Sequence, residues 1–181
     1  MKAKASMLKA IRAFASTSLP IAAGFLISLS ARAQQLPKEL QPSANEHFLL
    51  QVHAKGDQIY TCKEDGAQFT WMLKAPEAQL TDESGKPFGR HFDGPSWEAS
   101  DGSRITGKAV ANAPSPDADS IPWLLVTVVT RSQAGVLARV TSVQRVNTKG
   151  GKASASGCDA AHVGREARIP YSADYRFFAP R

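Results

Sequence analysis

The sequence predicts an all-β fold, a single-domain antiparallel β-sandwich or barrel with little helix. From His47 onward, apolar residues recur at every second position, as in Phe48, Leu50 and Val52. Turn signals rich in Gly, Pro, Asp and Ser separate these runs at intervals of about eight to twelve residues. No helical periodicity persists over three turns beyond the N-terminal region. Short strands with turns at this spacing are typical of sandwiches and barrels.

The first 33 residues are predicted to be a signal peptide. Residues 1–12 contain four basic side chains and no acidic one, an apolar run covers residues 14–29, and Ala31-Arg32-Ala33 supplies the small residues of a cleavage site. An uncleaved anchor is the alternative, but this run, broken by hydroxyl side chains, is short for a membrane span. We therefore expect an extracytoplasmic protein, periplasmic or secreted, that begins at Gln34 and has no membrane span after cleavage.

Cleavage changes what the charge of the chain implies. The full sequence has a net charge of +6, and the predicted signal peptide holds five basic residues and no acidic one, so its removal leaves +1. The apparent basicity belongs mostly to the export signal. A nucleic-acid-binding function based on net charge is therefore not expected.

The exported chain divides into an extended N-terminal arm, residues 34–46, and one β domain, residues 47–181. Within the domain we expect a turn at Gly56-Asp57, a hairpin at Asp65-Gly66 and the end of the third strand at Pro76. The run IPWLLVTVVT is apolar on both faces, which is typical of a strand covered on both sides.

The only two cysteines, Cys62 and Cys158, are predicted to form a disulfide. Exported domains fold in an oxidising environment, where two cysteines usually pair. A reactive thiol and a pair of metal ligands are the alternatives. Neither cysteine belongs to a C-x-x-C unit, which favours the disulfide, and no metal site is predicted.

Several segments together resemble one known family. These are QIYTCK, FTWMLKAPEAQL, GRHFDGPSWEASDGSRITGK, IPWLLVTVV, VTSVQRVNTKGGKASASGCDAAHVG and IPYSADYRFF. In this order they resemble exported bacterial and fungal proteins classed only as domain of unknown function 3455. The resemblance implies a single β-rich extracytoplasmic domain and no particular reaction.

The segment from Arg90 to Glu98 concentrates functional residue types. His91, Trp97 and Glu98 could line a pocket, with His91 and Glu98 in acid–base catalysis and His91 and Trp97 contacting a ligand. The structural alternative is a turn between two strands, with the indole in the core and the carboxylate in solvent. Arg145, on a later strand, is a further candidate ligand contact.

Asp159 and His162 form a second candidate pair directly after Cys158. On a helical turn, residues three apart share a face, so the carboxylate could orient the imidazole for metal binding or proton transfer. Asp159 could equally cap the turn by accepting a backbone N–H.

These observations favour a non-enzymatic β domain that binds a small ligand or a cell-envelope component through a concave face. The alternative is a hydrolase of carbohydrate or ester that uses a His/carboxylate pair from His91, Glu98, Asp159 and His162. A third possibility is a structural or stress-related envelope protein. No cofactor is predicted, and the sequence identifies no specific partner.

Overall fold

The computed structural model describes residues 36–181, where eight antiparallel strands form one closed barrel. The predicted signal peptide and its cleavage site lie outside these described residues. The all-β prediction is confirmed, and of its two alternatives the barrel is the one found. The strands are β1 Glu46–Asp65, β2 Gln68–Thr81, β3 Pro87–Phe92, β4 Ser96–Ala99, β5 Arg104–Ala113, β6 Trp123–Arg131, β7 Ser142–Gly150 and β8 Glu166–Pro180.

Each strand pairs with the next one in sequence, and β8 pairs with β1 to close the barrel. The closing pair is long, because it runs from Glu46 opposite Pro180 to Thr61 opposite Glu166. The connections therefore alternate between two ends of the barrel. We call the end that carries the loops after β1, β3, β5 and β7 the upper end, and the opposite end the lower end.

The lower end of the barrel is filled by apolar side chains. Leu137 and Val140, from the loop between β6 and β7, are fully buried beneath strand residues such as Leu80, Ile105 and Phe177. This packing closes the lower end to solvent. Apart from the strands, the described residues contain two short 3-10 helices, Lys38–Leu40 and Ala160–His162. Within residues 36–181, no helix has the length and apolar character needed to cross a membrane.

The N-terminal arm contacts the outside of the barrel. Leu40, in the first 3-10 helix, is fully buried against Trp123 of β6 and Val146 of β7. The buried Gln144 side chain donates a hydrogen bond to the Leu40 carbonyl oxygen at 2.5 Å. The arm thus covers the outer face of the first half of β6, whereas Val129, near the end of that strand, is exposed.

The predicted turn at Gly56-Asp57 is wrong, because β1 continues through both residues. A Cβ atom at Gly56 would lie 2.0 Å from the carbonyl oxygen of Glu77 and 2.5 Å from the Cα of Ala78. Strand β2 therefore passes too close to β1 for any side chain at this position. Glycine is present for that close approach and not for a turn.

The predicted end of the third strand at Pro76 is also wrong, because β2 continues to Thr81. Pro76 pairs with Gln58 of β1, just past a register shift that leaves Lys74 without a partner. On its other side, β2 pairs with β3 only from Ala78 onward. A proline without an N–H is tolerated here because this edge of β2 has no neighbouring strand.

The predicted hairpin and disulfide are both confirmed. Gly66 adopts a φ of 61° in the turn between β1 and β2, a conformation that favours glycine. Cys62 of β1 is bonded to Cys158 in the loop before β8, across a sequence separation of 96. The bond therefore ties the longest upper loop to the barrel wall.

We expect the double substitution Cys62→Ala and Cys158→Ala to lower the free energy of unfolding by up to ~4–5 kcal/mol, since the disulfide closes a loop of about one hundred residues in the unfolded chain. Urea unfolding of the wild-type and substituted proteins measures the difference. Added reductant should destabilise only the wild type. Equal stability of the two proteins would contradict this prediction.

We also expect Gly56→Ala to destabilise the barrel by about 1–3 kcal/mol, because the new methyl group would overlap the β2 backbone. Lys55→Ala, at the adjacent exposed position, is the matched control and should change stability little. Urea unfolding compares the two variants. A Gly56→Ala protein as stable as the control would show that the strands can separate at no cost.

Candidate functional site

A window interrupts the barrel wall above the short strands β3 and β4. Strand β4 pairs with β5 only from Arg104 to Thr106, and β3 pairs with β2 only from Ala78 to Thr81. The upper parts of β2 (68–77) and β5 (108–113) therefore have no strand between them. The turn after β3, at Asp93-Gly94-Pro95, forms the lower border of this window.

Behind the window lies a cavity of about 470 Å³ in the upper half of the barrel. This volume is within the usual range of about 300–1,000 Å³ for small-molecule sites. Its walls are mainly apolar, with contributions from Leu73, Pro76, Ala109, Ile121 and Leu124. Its polar lining includes Gln58, Tyr60, His91 and Arg145.

A second hollow, of about 460 Å³, lies on the outer surface beside Leu36 and Phe178. It is more open than the cavity, and its polar side chains already have partners. Gln144 bonds to Leu40, and Arg176 donates to the Gln51 side chain at 2.8 Å. The cavity is therefore the better candidate for a functional site.

His91 lines the cavity from β3 and is almost completely buried. Its Nδ1 lies 2.8 Å from the carbonyl oxygen of Ser96, and because a carbonyl only accepts, Nδ1 carries the proton. Burial, aided by the charge of Arg145, lowers the pKa of His91 to about 3. The ring is therefore neutral near pH 7, and its Nε2 is a hydrogen-bond acceptor without a partner among residues 36–181.

Arg145 reaches the cavity from β7, and only 9% of its surface is exposed. Its Nε and Nη2 both donate to the Pro122 carbonyl oxygen, at 3.1 and 2.9 Å. Within the described part of the chain, no carboxylate lies within 4.0 Å of this guanidinium. The Tyr175 hydroxyl is a further polar group that contacts it. The cavity thus contains a buried positive charge whose partners are neutral groups.

Two tyrosines lie beside this charge in the barrel interior. The hydroxyl groups of Tyr171 and Tyr175 are 3.5 Å apart. Burial raises the pKa of both phenols, while the charge of Arg145 acts in the opposite direction. Both side chains are therefore neutral, and neither supplies a counter-ion to Arg145.

Gln58 and Tyr60 line the cavity from β1. Gln58 is only 1% exposed, and its amide Nε2 has no hydrogen-bond partner. Tyr60 donates to the Gly151 carbonyl oxygen at 2.7 Å. Burial raises the pKa of the Tyr60 hydroxyl, so this side chain is also neutral. Of the two, Gln58 has the unused hydrogen-bonding capacity.

The structure separates His91 from Glu98, its predicted carboxylate partner. In the β3–β4 ladder, His91 pairs with Trp97 and Arg90 pairs with Glu98, so the two pairs point to opposite faces of the sheet. Glu98 accepts from Arg90 Nη2 at 2.9 Å. Trp97 is stacked on His91, with ring centroids 4.6 Å apart, and does not line the cavity.

Asp159 and His162 lie in the upper loop and do not line the cavity. The Asp159 carboxylate accepts from the Ala161 N–H at 2.9 Å and contacts His162 Nδ1 at 2.6 Å. The hydrogen bond from His162 contributes most to a lowered pKa of Asp159. Capping and an oriented imidazole, considered as alternatives from the sequence, thus occur together at an exposed turn.

Among residues 36–181, no three His, Cys, Asp or Glu side chains are arranged to hold a metal ion.

Gln58 is a site residue that the sequence analysis missed. It lies on the same face of β1 as the buried residues Val52 and Ala54. A polar residue in that alternation is a usable signal. The expected turn at Gly56-Asp57 interrupted the alternation and concealed it.

We predict that His91 makes folding stability depend on pH. The pKa of this histidine is about 6.5 in the unfolded chain and about 3 in the barrel, so the unfolded chain binds more protons between these values. The contribution of His91 to the free energy of unfolding is therefore complete above pH 6.5. It is lost as the pH falls towards 3, at up to about 1.4 kcal/mol per pH unit. His91→Gln should reduce this dependence in urea unfolding at pH 7 and pH 4.5. His162→Gln, at the exposed turn, is the control, and equal pH dependence in all three proteins would contradict the assignment.

Comparison with known proteins gives a family and no activity. Neither the curated proteins nor the solved structures that were searched contain a significant match. A family described as a protein of unknown function (DUF3455) matches residues 42–179, from just before β1 to the end of β8. The chain therefore belongs to this family.

Proposed function

We propose that this domain is an extracytoplasmic, non-enzymatic binding protein whose small ligand occupies the barrel cavity. The proposal depends on one observation. A cavity open through the barrel wall is lined by the buried side chains of Gln58, Arg145 and His91, and among the described residues the Nε2 of Gln58 has no hydrogen-bond partner. An eight-stranded barrel has an interior of suitable width for one small ligand.

The energetics of these groups favour a ligand. A buried polar atom without a hydrogen-bond partner costs about 1–3 kcal/mol relative to a paired one. Gln58 Nε2 is such an atom among the described residues, and the buried Arg145 lies on the same cavity. A ligand that bonds both side chains would offset it and would gain affinity from groups that are already oriented.

The arrangement favours binding over hydrolysis. A His/carboxylate mechanism requires a carboxylate within hydrogen-bond distance of the base. Nδ1 of His91 is instead bonded to the main-chain oxygen of Ser96, and Glu98 is on the outer face with Arg90. Asp159 and His162 contact each other outside the cavity. In the described residues, none of the four predicted catalytic side chains forms a His/carboxylate pair in the cavity.

The disulfide supports an extracytoplasmic location for this binding function, because such bonds persist in oxidising compartments. We therefore propose a ligand encountered in the periplasm or outside the cell, free or as part of an envelope component. A purely structural role would give no reason for a solvent-connected cavity around unpaired polar groups.

Binding can be tested with phenylnaphthylamine, a neutral dye that fluoresces on entering apolar surroundings. We expect saturable binding to the wild type and at least an approximately tenfold loss of affinity in Ala109→Trp, because the indole would fill the cavity beside the window. Val110→Trp is the matched control, since Val110 is the adjacent residue and is more than half exposed. No binding to the wild type, or equal effects of the two substitutions, would overturn the proposal.

A further inference from the structure

We infer that the ligand of this cavity is an organic anion whose charged oxygens bind Arg145 and Gln58 and whose apolar body extends towards the window. The inference rests on the proposed binding function and adds the chemical class of the ligand. It depends on the charge, the free donors and the apolar walls of the cavity.

The charge of Arg145 is the first argument. Burial of a charge is costly unless an opposite charge or several hydrogen bonds accompany it. A guanidinium remains protonated under all ordinary conditions, so Arg145 cannot lower this cost by losing a proton. In the described part of the chain, its polar partners are the Pro122 carbonyl oxygen and the Tyr175 hydroxyl, which are both neutral. An anion in the cavity would supply the missing counter-charge.

The geometry of the free donors is the second argument. The edge formed by Nε and Nη2 is directed at Pro122, which leaves the end formed by Nη1 and Nη2. Two parallel N–H groups on that end match the two oxygens of a carboxylate, or two oxygens of a phosphate or sulfonate. The unpaired Nε2 of Gln58 is a second buried donor on the same cavity.

The remaining polar groups restrict where the anion binds. His91 Nε2 accepts and cannot donate, so it does not favour an anionic oxygen, although it can accept a hydrogen bond from a hydroxyl or N–H elsewhere on the ligand. Lys74 and Asp93 are exposed at the window, and Lys74 is paired with Glu166 at 2.5 Å. The buried donors Arg145 and Gln58 are therefore the groups for the charged end.

The apolar walls account for the rest of the ligand. Leu73, Pro76 and Ala109 border the window, Leu124 lies on β6, and Ile121 lies in the loop before β6. A bare inorganic anion would leave this surface in contact with water. An organic anion with a hydrocarbon or aromatic body would cover it and would gain the hydrophobic contribution of that area.

The test uses two dyes that differ only by one anionic group, phenylnaphthylamine and anilinonaphthalene sulfonate. We expect the wild type to bind the sulfonate about 10- to 100-fold more tightly than the neutral dye, because hydrogen bonds to a charged group contribute about that factor to affinity. Arg145→Met should abolish this preference and retain the neutral dye, whose binding reports that the cavity is intact. Lys74→Met, which removes an exposed cation at the window, should keep the preference.

A second measurement does not depend on folding of the Arg145 variant. Naphthoate and naphthamide have nearly the same shape and differ in charge, and naphthyl phosphate replaces the carboxylate by a phosphate. Each is titrated against phenylnaphthylamine bound to the wild type. We expect naphthoate, naphthyl phosphate or both to displace the dye at least about tenfold more effectively than naphthamide, and their order identifies the preferred anion.

The outcomes separate this inference from the proposed function. If phenylnaphthylamine fails to bind the wild type, the proposed function fails and the inference falls with it. If the neutral dye binds but the anionic compounds show no advantage, only the inference is overturned. A sulfonate preference that survives in a folded Arg145→Met protein would also overturn it.

Discussion

The pairing of β1 with β8 is the interaction on which the rest of the structure depends. These are the two longest strands, and their ladder extends over most of the height of the barrel. Because this wall closes the barrel by itself, the opposite wall can be made of the short strands β3 and β4. The window above them therefore does not open the sheet. A barrel with long strands on one side and short strands on the other combines a stable scaffold with access to its interior.

Closure also explains why the two halves of the interior differ. At the lower end, Leu137 and Val140 close the barrel, and the side chains there are apolar and tightly packed. At the upper end, the same inward positions on β1 and β7 carry Gln58 and Arg145. A barrel selected only for stability would have apolar residues at both positions, since unpaired buried polar groups are costly. Departures from optimal packing of this kind are concentrated at functional sites.

The local features of the fold could be predicted from the sequence, and the features set by distant strands could not. The Asp65-Gly66 hairpin and the cysteine pair depend on short-range turn chemistry and on composition, and both predictions were confirmed. Gly56 and Pro76 resemble turn and strand-end signals, but their roles are set by the neighbouring strands. Gly56 is required by the approach of β2, and Pro76 is tolerated because its outer edge is unpaired.

The candidate site shows the same division. His91 could be selected as a candidate because functional residue types cluster between Arg90 and Glu98, and Arg145 was a further candidate by residue type. Their common cavity, and the separation of His91 from Glu98, depend on register and barrel closure, which the sequence does not display locally. Residue type thus identified candidate site residues. The pairing of the strands determines which of these residues face the cavity.

The upper loops hold the Arg145 side chain in place. Its partner Pro122 follows Ile121, whose carbonyl oxygen accepts from the Thr148 hydroxyl at 2.7 Å and whose N–H donates to Gly150. Tyr60 donates to Gly151 of the same segment, and Cys62, two residues further along β1, carries the disulfide to the loop that follows. The loop that holds Arg145 is therefore bonded to β7 and, through it, to β1. A guanidinium fixed in this way would lose little conformational freedom on binding the anion that we propose, so more of that interaction would remain as affinity.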